Sequence, residues 1–333
     1  MKIAVDAMGG DYAPEEIVKG AVNGARVYQT GIILVGPRDR IQAELAKYDN
    51  AGLDIEIVHT PEYLVEGEAP AYALRTKRNA SVIVATRLVK EGKADAVISM
   101  GPTGGVIASA LMYLGTLEGI SRPVVGGAFC GFTPRTVTMD IGGNLDCRPD
   151  QLLDFAVVGT VYARKLLGIP EPSVALLNVG REEGKGNTLA KEAYPLLQKS
   201  GLNFIGNIEG NDVTTGKANV IICDGFTGNI MAKFCEGLGR TTANWLTEEL
   251  KNNLPAERIE GISKKLLELT VMADNTGGGP LWAVNGLVFK GHGRSRAPEM
   301  AVTIGSAKRY AELDIISALK TELVAVRRRL AAP

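Results

Sequence analysis

Short apolar runs alternate along the chain with longer stretches in which apolar side chains recur every three or four positions. The short runs, bounded by Gly, Pro, Asn and Asp, read as buried strands and the longer stretches as amphipathic helices. Their repeated succession predicts a mostly parallel sheet with helices on both faces. Lys2 to Asp6 is the first predicted strand, and Ala13 to Tyr28 a helix with Pro14 in its first turn. Gly31 to Val35, Asp54 to Val58 and Ala94 to Ser99 continue the strands. Arg38 to Tyr48, Ala71 to Glu91 and Gly104 to Leu117 continue the helices, the second carrying the basic cluster Arg75, Lys77 and Arg78. Strands at Val124 to Ala128 and Thr136 to Ile141 have only a loop between them, so the simple alternation breaks there. It resumes with the helix Gln151 to Leu167, the strand Ser173 to Asn178, the helix Thr188 to Lys199 and the strand Asn203 to Ile205.

The stretch Ala218 to Asn229, ANVIICDGFTGN, joins an apolar run to a long helical pattern through Asp224, Gly225 and Gly228. It predicts a buried parallel strand, a tight turn and a helix N-terminus, the place where α/β sheets collect ligands. A plain reading has Asp224 and Thr227 only capping the helix. Beyond it the pattern turns helical, with Ile230 to Leu250 and Ile259 to Met272 flanking a break from Lys251 to Arg258 that contains Pro255. Such a protruding pair, residues 230–272, predicts an oligomer contact within a single α/β domain spanning 1–333. The glycine turn Gly277 to Gly279, the strand Leu287 to Lys290, the turn Gly291-His292-Gly293 and two closing helices complete the chain, whose basic run Arg327 to Arg329 reads as a solvated helix end.

Composition narrows the function classes. The 333 residues are 45% hydrophobic, enough for one large domain or two ordinary ones. Lys plus Arg and Asp plus Glu both number 37, so no net charge points to nucleic acid. Cys130, Cys147, Cys223 and Cys235 lack C-x-x-C spacing, which favours a reducing cytoplasm over zinc or redox chemistry. No apolar run is long enough to span a bilayer, and MKIAVDAMGGD begins as a strand rather than a signal peptide.

Glycine turns follow several strands: Met8 to Asp11, Met100 to Gly104, Ile141 to Asp146, Val179 to Asn187 and Asp224 to Asn229. In one parallel sheet they would gather along one edge. None is a nucleotide motif: Val179 and Gly186 break a Walker A reading, and no G-x-G-x-x-G follows the first strand. The two histidines, His59 and His292, occur without G-x-S-x-G or H-E-x-x-H, which disfavours hydrolase and zincin chemistry. Asp6, Asp11, Asp140, Asp146 and Asp224 leave metal binding open. Lys185 places an ammonium between Gly184 and Gly186, just before the helix-capping residues Asn187 and Thr188. That corner suits an oxyanion or phosphate, although most loop lysines are merely solvated.

Taken in order, KIAVDAMGGDYAP, MGPTGG, DIGGNLDCRPDQL, LLNVGREEGKGN, IICDGFTGN and GLVFKGHGRS resemble the bacterial phosphate acyltransferase family of phospholipid synthesis over nearly the whole chain. The resemblance implies a three-layer α/β/α sandwich similar to phosphotransacetylase and isopropylmalate dehydrogenase, with a protruding helical pair. It also implies a cytoplasmic homodimer, peripheral on the inner membrane face. The implied reaction moves a fatty acyl group from acyl carrier protein to inorganic phosphate, giving acyl phosphate to a downstream glycerol-phosphate acyltransferase for phosphatidic acid synthesis. Two positions depart from the family pattern: Pro102 stands where Asn is usual, and Tyr12 where His is usual. The helical-pair tip, Asn252 to Ile259, is also more polar than the family's.

Within these motifs the candidate catalytic groups are Lys185, Asp224 and Asn229. Candidate substrate and phosphate contacts are Asp6, Gly9, Gly10, Asp11, Gly101, Thr103, Gly104, Asn144, Asp146, Asn187, Thr227, Gly228 and His292. Phosphate is already a nucleophile near neutral pH and a thiolate of pKa about 8.5 leaves readily, so no cofactor, metal or covalent enzyme nucleophile is required. The protein has to hold two anions together and stabilise a tetrahedral oxyanion, with Lys185, Thr227, Gly228, Asn229 and turn N–H groups as donors. Competing readings are a phosphotransacetylase acting on acetyl-CoA, a non-catalytic membrane scaffold that binds acyl carrier protein and, more remotely, a decarboxylating dehydrogenase.

Overall fold

The apolar runs become strands in which register, rather than composition alone, sorts side chains between the two faces of a sheet. The computed structural model describes residues 1–68, 75–128, 130–270 and 277–331. In chain order its elements are β1 (Lys2–Asp6), α1 (Glu15–Tyr28), β2 (Gly31–Gly36), α2 (Arg38–Leu45), β3 (Ile55–His59), α3 (Ser81–Lys90), β4 (Ala96–Ser99) and α4 (Thr103–Tyr113). Then come β5 (Val124–Gly127), β6 (Val137–Met139), α5 (Pro149–Leu166), β7 (Val174–Leu177), α6 (Thr188–Lys199), β8 (Phe204–Ile208) and β9 (Val220–Ile222). The helical pair α7 (Gly225–Leu250) and α8 (Ala256–Thr270) precedes β10 (Gly278–Trp282), β11 (Leu287–Gly291), α9 (Ala297–Glu312) and α10 (Ile315–Ala331). The chain divides into two compact units, Met1–Gly119 with Thr276–Ile316, and Ile120–Asn275 with Ser317–Pro333.

In the first unit the strand order is β3-β2-β1-β4-β11-β10, parallel except for β10, which runs antiparallel to β11. Register aligns Ile3 with Ile32 and Ala96, Leu287 with Ala96, and Phe289 with Ile98. Because side chains alternate across a strand, these residues with Val5 and Leu34 form one continuous apolar face. Ile17, Val18 and Ala21 of α1 and Met300, Ile304 and Ala307 of α9 pack on it. The two helices approach closely because α1 presents Gly20 and Gly24: a Cβ on Gly20 would lie 2.5 Å from Met300 Cβ, and one on Gly24 2.7 Å from Ile304 Cδ1.

The second unit has the order β5-β6-β9-β7-β8, with only β5 and β6 antiparallel. α5 covers one face with Phe155 and Val158 fully buried, and Gly159 lets it sit against Val220. On another cluster Ala175, Ile208 and Ile221 pack with Met231, Ala232 and Cys235 from the start of α7. α7 and α8 then form the expected antiparallel pair, Gly239 of one facing Thr270 of the other.

The structure corrects several sequence expectations. The helix read from Ala71 to Glu91 is interrupted: residues 71–74 lie outside the described residues, Arg75 and Thr76 are helical, residues 77–80 are not, and α3 starts at Ser81; in the break Lys77 pairs with Glu68 at 2.5 Å. Gly278 and Gly279, read as part of a turn, open β10, which pairing with β11 stabilises despite poor strand propensity. The helical pair starts earlier and breaks over a shorter segment than expected, 251–255; Met272 lies outside the described residues. At its tip Ile259 is buried and Leu254 is half-buried. Nor is the basic C-terminal run merely solvated: Arg327 reaches Asp154 at 3.3 Å, and Arg329 donates to the Ser200 carbonyl at 3.4 Å.

Candidate active site

In the second unit three glycine turns meet at the carboxyl ends of β6, β7 and β9. Asp140 follows β6 and is fully buried. Its carboxylate accepts from the backbone N–H of Gly142 (3.0 Å), Gly143 (2.6 Å) and Asn144 (2.8 Å) and from the Asn144 side-chain amide (2.7 Å). Burial pushes the Asp140 carboxyl above the usual carboxylate range, while these four donors pull it back. Asn144 also donates to the Pro123 carbonyl at 2.8 Å, so this candidate substrate contact is a buried brace whose amide is already engaged. Its carbonyl accepts from Gly225 N–H at 2.7 Å, which fixes the IGGN turn against the first residue of α7.

Asp224 is the N-cap of α7. Its carboxylate accepts from Thr227 N–H at 2.8 Å and from the Thr227 hydroxyl at 2.9 Å, while Gly228 N–H donates to the Asp224 carbonyl at 3.0 Å. The N–H donors expected of Thr227 and Gly228 are therefore used within the cap. Asn229 remains exposed beside Gly142, where a Cβ would lie 3.2 Å from Asn229 Oδ1.

The loop after β7 carries Lys185. Asn178 folds that loop back by donating to the Lys185 carbonyl at 3.0 Å and accepting from Val179 N–H at 2.8 Å. Lys185 N–H donates to the Glu182 carbonyl at 3.1 Å, and a Cβ on Gly180 would lie 2.9 Å from Lys185 Cγ, so the stem lies along the loop. Its exposed ammonium has no ion-pair partner among the described residues. Asn187 caps α6, accepting from Ala190 N–H at 2.9 Å. Asp146 is exposed in the turn before α5.

Asn178, Asn187, Asp224 and Thr227 form the polar part of the wall of a cavity of about 530 Å³. The rest of the lining is predominantly apolar, from Leu152, Leu176, Ile230, Met231 and Phe234 among others. Of the two cysteines nearby, Cys147 is pushed up to about 11 by burial and Cys223 is pushed well up by the same cause. Neither offers a thiolate at neutral pH.

The first unit brings its own candidates together. Asp6 is buried, accepting from the Ser99 hydroxyl at 2.6 Å and Met8 N–H at 3.2 Å; burial raises its pKa against these donors. Gly9 is needed for close approach, since a Cβ there would lie 2.6 Å from Asp6 Oδ2 and 2.7 Å from Gly101 N. Asp11 N–H donates to the Gly293 carbonyl at 2.8 Å, bringing the MGGD turn against the segment that contains His292. Gly10, with φ of 110°, packs on Met100 and Gly293. Thr103 and Gly104 open α4 behind Pro102, an N-cap with no capping side chain. Tyr12, at the other departure from the family pattern, lies under the Arg296 guanidinium at 4.1 Å from the ring centroid. Among the described residues no three His, Cys, Asp or Glu side chains cluster as metal ligands.

Sequence reading missed Lys290. It lies at the carboxyl end of β11 in register with Ser99, half-buried, and burial lowers its pKa while Glu66 and Asp11 oppose that shift. A lysine interrupting the apolar run LVF just before a glycine turn was the available signal.

Two mostly parallel sheet units with glycine turns at strand ends give an α/β fold shared with solved phosphotransacetylases. The chain matches a solved phosphotransacetylase from Streptococcus pyogenes at TM-score 0.62 and 20% identity, covering 97% of this chain and 94% of that one. It matches a 4-hydroxythreonine-4-phosphate dehydrogenase from Klebsiella pneumoniae at TM-score 0.55 and 15% identity, covering 93% and 99%. The family model described as fatty acid synthesis protein matches residues 1–318. Relatives named phosphate acyltransferase from Pelotomaculum thermopropionicum and Moorella thermoacetica are 42% and 44% identical, covering 98% and 96% of this chain and 96% and 95% of theirs. The chain belongs to this bacterial phosphate acyltransferase family, and it is an enzyme.

Proposed function

We propose that the enzyme transfers a fatty acyl group from the thioester of acyl carrier protein to inorganic phosphate, giving acyl phosphate for phosphatidic acid synthesis. The observation that supports this reading is the polar group Asn178, Asn187, Asp224 and Thr227 in the wall of an otherwise apolar cavity, with Lys185 next to the lining residue Gly186 and Asn229 next to the lining residue Ile230. A phosphate oxygen attacks the thioester carbonyl, a C–O bond forms, the C–S bond breaks and the carrier thiolate takes up a proton. Lys185 and the Asn229 amide supply the charge and the donor for the tetrahedral oxyanion, the largest demand of such a reaction. Asp224, held as a cap, orients this corner; the raised pKa values of Cys147 and Cys223 argue against an acyl-thiol enzyme intermediate.

The test is release of carrier thiol from palmitoyl-[acyl carrier protein], with and without phosphate, against acetyl-CoA as donor. Phosphate-dependent release from the carrier donor is expected. Preference for acetyl-CoA would make the protein a phosphotransacetylase, and carrier binding without release would make it a scaffold.

We further propose a homodimer formed through α7. Phe226, Ile230, Phe234, Leu238 and Trp245 are each more than half exposed and follow one helical stripe. Contiguous apolar surface of this kind is what a second copy covers.

A further inference from the structure

We infer that the cavity of the second unit holds the acyl chain itself, and that Met231 is a wall residue that limits chain length. This rests on the acyl-transfer reading and adds where the chain lies. The lining is predominantly apolar, with Asp224 and Thr227 hydrogen-bonded to each other and Asn178 and Asn187 as its other polar members. An amphiphile with one polar terminus matches that distribution; a phosphopantetheine arm, polar along its length, does not. At about 530 Å³ the cavity lies in the range, roughly 300–1,000 Å³, of sites that take up most of a small ligand.

The lining also extends along one helix. Along α7 the cavity wall passes from Asp224 through Ile230 and Met231 to Phe234. At a rise of about 1.5 Å per residue, Met231 stands roughly 10 Å and Phe234 roughly 15 Å beyond the cap. Leu152 and Leu176 are fully buried and line the cavity from α5 and β7. Met231 is half-buried, with a flexible side chain that both lines the cavity and packs on Ala175, Ile208 and Ile221, so enlarging it narrows the cavity at the edge of that cluster.

The test compares octanoyl- and palmitoyl-[acyl carrier protein] with the unaltered protein and with Met231→Trp, each first shown to be folded by circular dichroism. Met231→Trp should change the ratio of the two donors, acting on palmitoyl far more than on octanoyl transfer. It should lower palmitoyl kcat/KM by roughly 15- to 60-fold, the effect of losing two to three buried methylenes at about 0.8 kcal/mol each. A fluorescent long-chain fatty acid should bind the unaltered protein and bind the variant more weakly. Equal activity of the variant on both donors relative to the unaltered protein, with probe binding unchanged, overturns the assignment. Probe binding that responds to Met231→Trp, without phosphate-dependent turnover of any donor, upholds the cavity and overturns the transfer reading. If Met231→Trp does not fold, Met231→Ala serves in its place: it should raise palmitoyl transfer relative to octanoyl, and an unchanged ratio overturns the assignment.

Discussion

Gly228 packs directly on Asp140: a Cβ on the glycine would fall inside contact distance of the Asp140 carbonyl oxygen, with Cys223 Sγ at 3.0 Å on another side. This contact seats the first turn of α7 on the loop that ends β6. Backbone cannot give way as a flexible side chain would, so Gly228→Ala should destabilise the protein by about 1–3 kcal/mol. Urea unfolding would show it as a lower midpoint with an unchanged slope. An unchanged midpoint would mean that the turn relaxes freely.

Lys185→Met keeps most of the stem and removes the ammonium, which has no structural ion pair among the described residues. Folding should be retained, and turnover with carrier donor and saturating phosphate should fall on the order of 10²–10³, as when one oxyanion donor is removed. Near-parental turnover would leave Lys185 as a solvated loop residue.

Lys290 is a charge held in partial burial at a strand end. Lys290→Met removes that desolvation, so the variant should be at least as stable as the unaltered protein. Thermal unfolding checks this; a lower midpoint in the variant would mean that the Lys290 charge is held by interactions that outweigh its desolvation.

Asp154 links α5 to Arg327 of α10, and burial raises its pKa to about 6 against the opposing Arg327 charge. The ordinary aspartate value is near 3.9. Between these values the folded state binds more protons than the unfolded state, so this group makes stability fall as pH rises toward and through 6. Its protonation on acidification from about pH 6 to 4 therefore stabilises the fold. The difference in urea midpoint between pH 5 and pH 7.5 should shift in this sense, and Asp154→Asn should remove this component of the pH dependence. Identical pH dependence in the two proteins would disprove the linkage.

The exposed stripe on α7 predicts that Phe234→Lys with Trp245→Glu weakens or abolishes the dimer without unfolding the protein, because both side chains are mostly exposed in a single copy. Sedimentation at micromolar concentration checks this. A monomeric unaltered protein would remove α7 as a dimer contact.

The sequence by itself determined the strand–helix succession, because burial at period two or near four is a local property of neighbouring residues. It also determined the α7 cap, since Asp224, Gly225 and Thr227 meet within one turn, and α6 falls at Thr188–Lys199 as read. The ordered turn motifs likewise pointed to the family. Only tertiary structure decided which candidate donors are engaged. Asn144 is engaged by Asp140 and Pro123, partners supplied by the fold of the turn and by a distant loop carbonyl. The basic run at Arg327 looked like a solvated end because Asp154 lies far away in sequence. Gly278 and Gly279 form a strand because β11 satisfies their backbone, which their own propensity does not foretell. Ile259 is buried by the helical pair, and the cavity lies among residues from α5, β7, α6 and α7. Its size depends on how those elements pack, a long-range property that local periodicity does not encode.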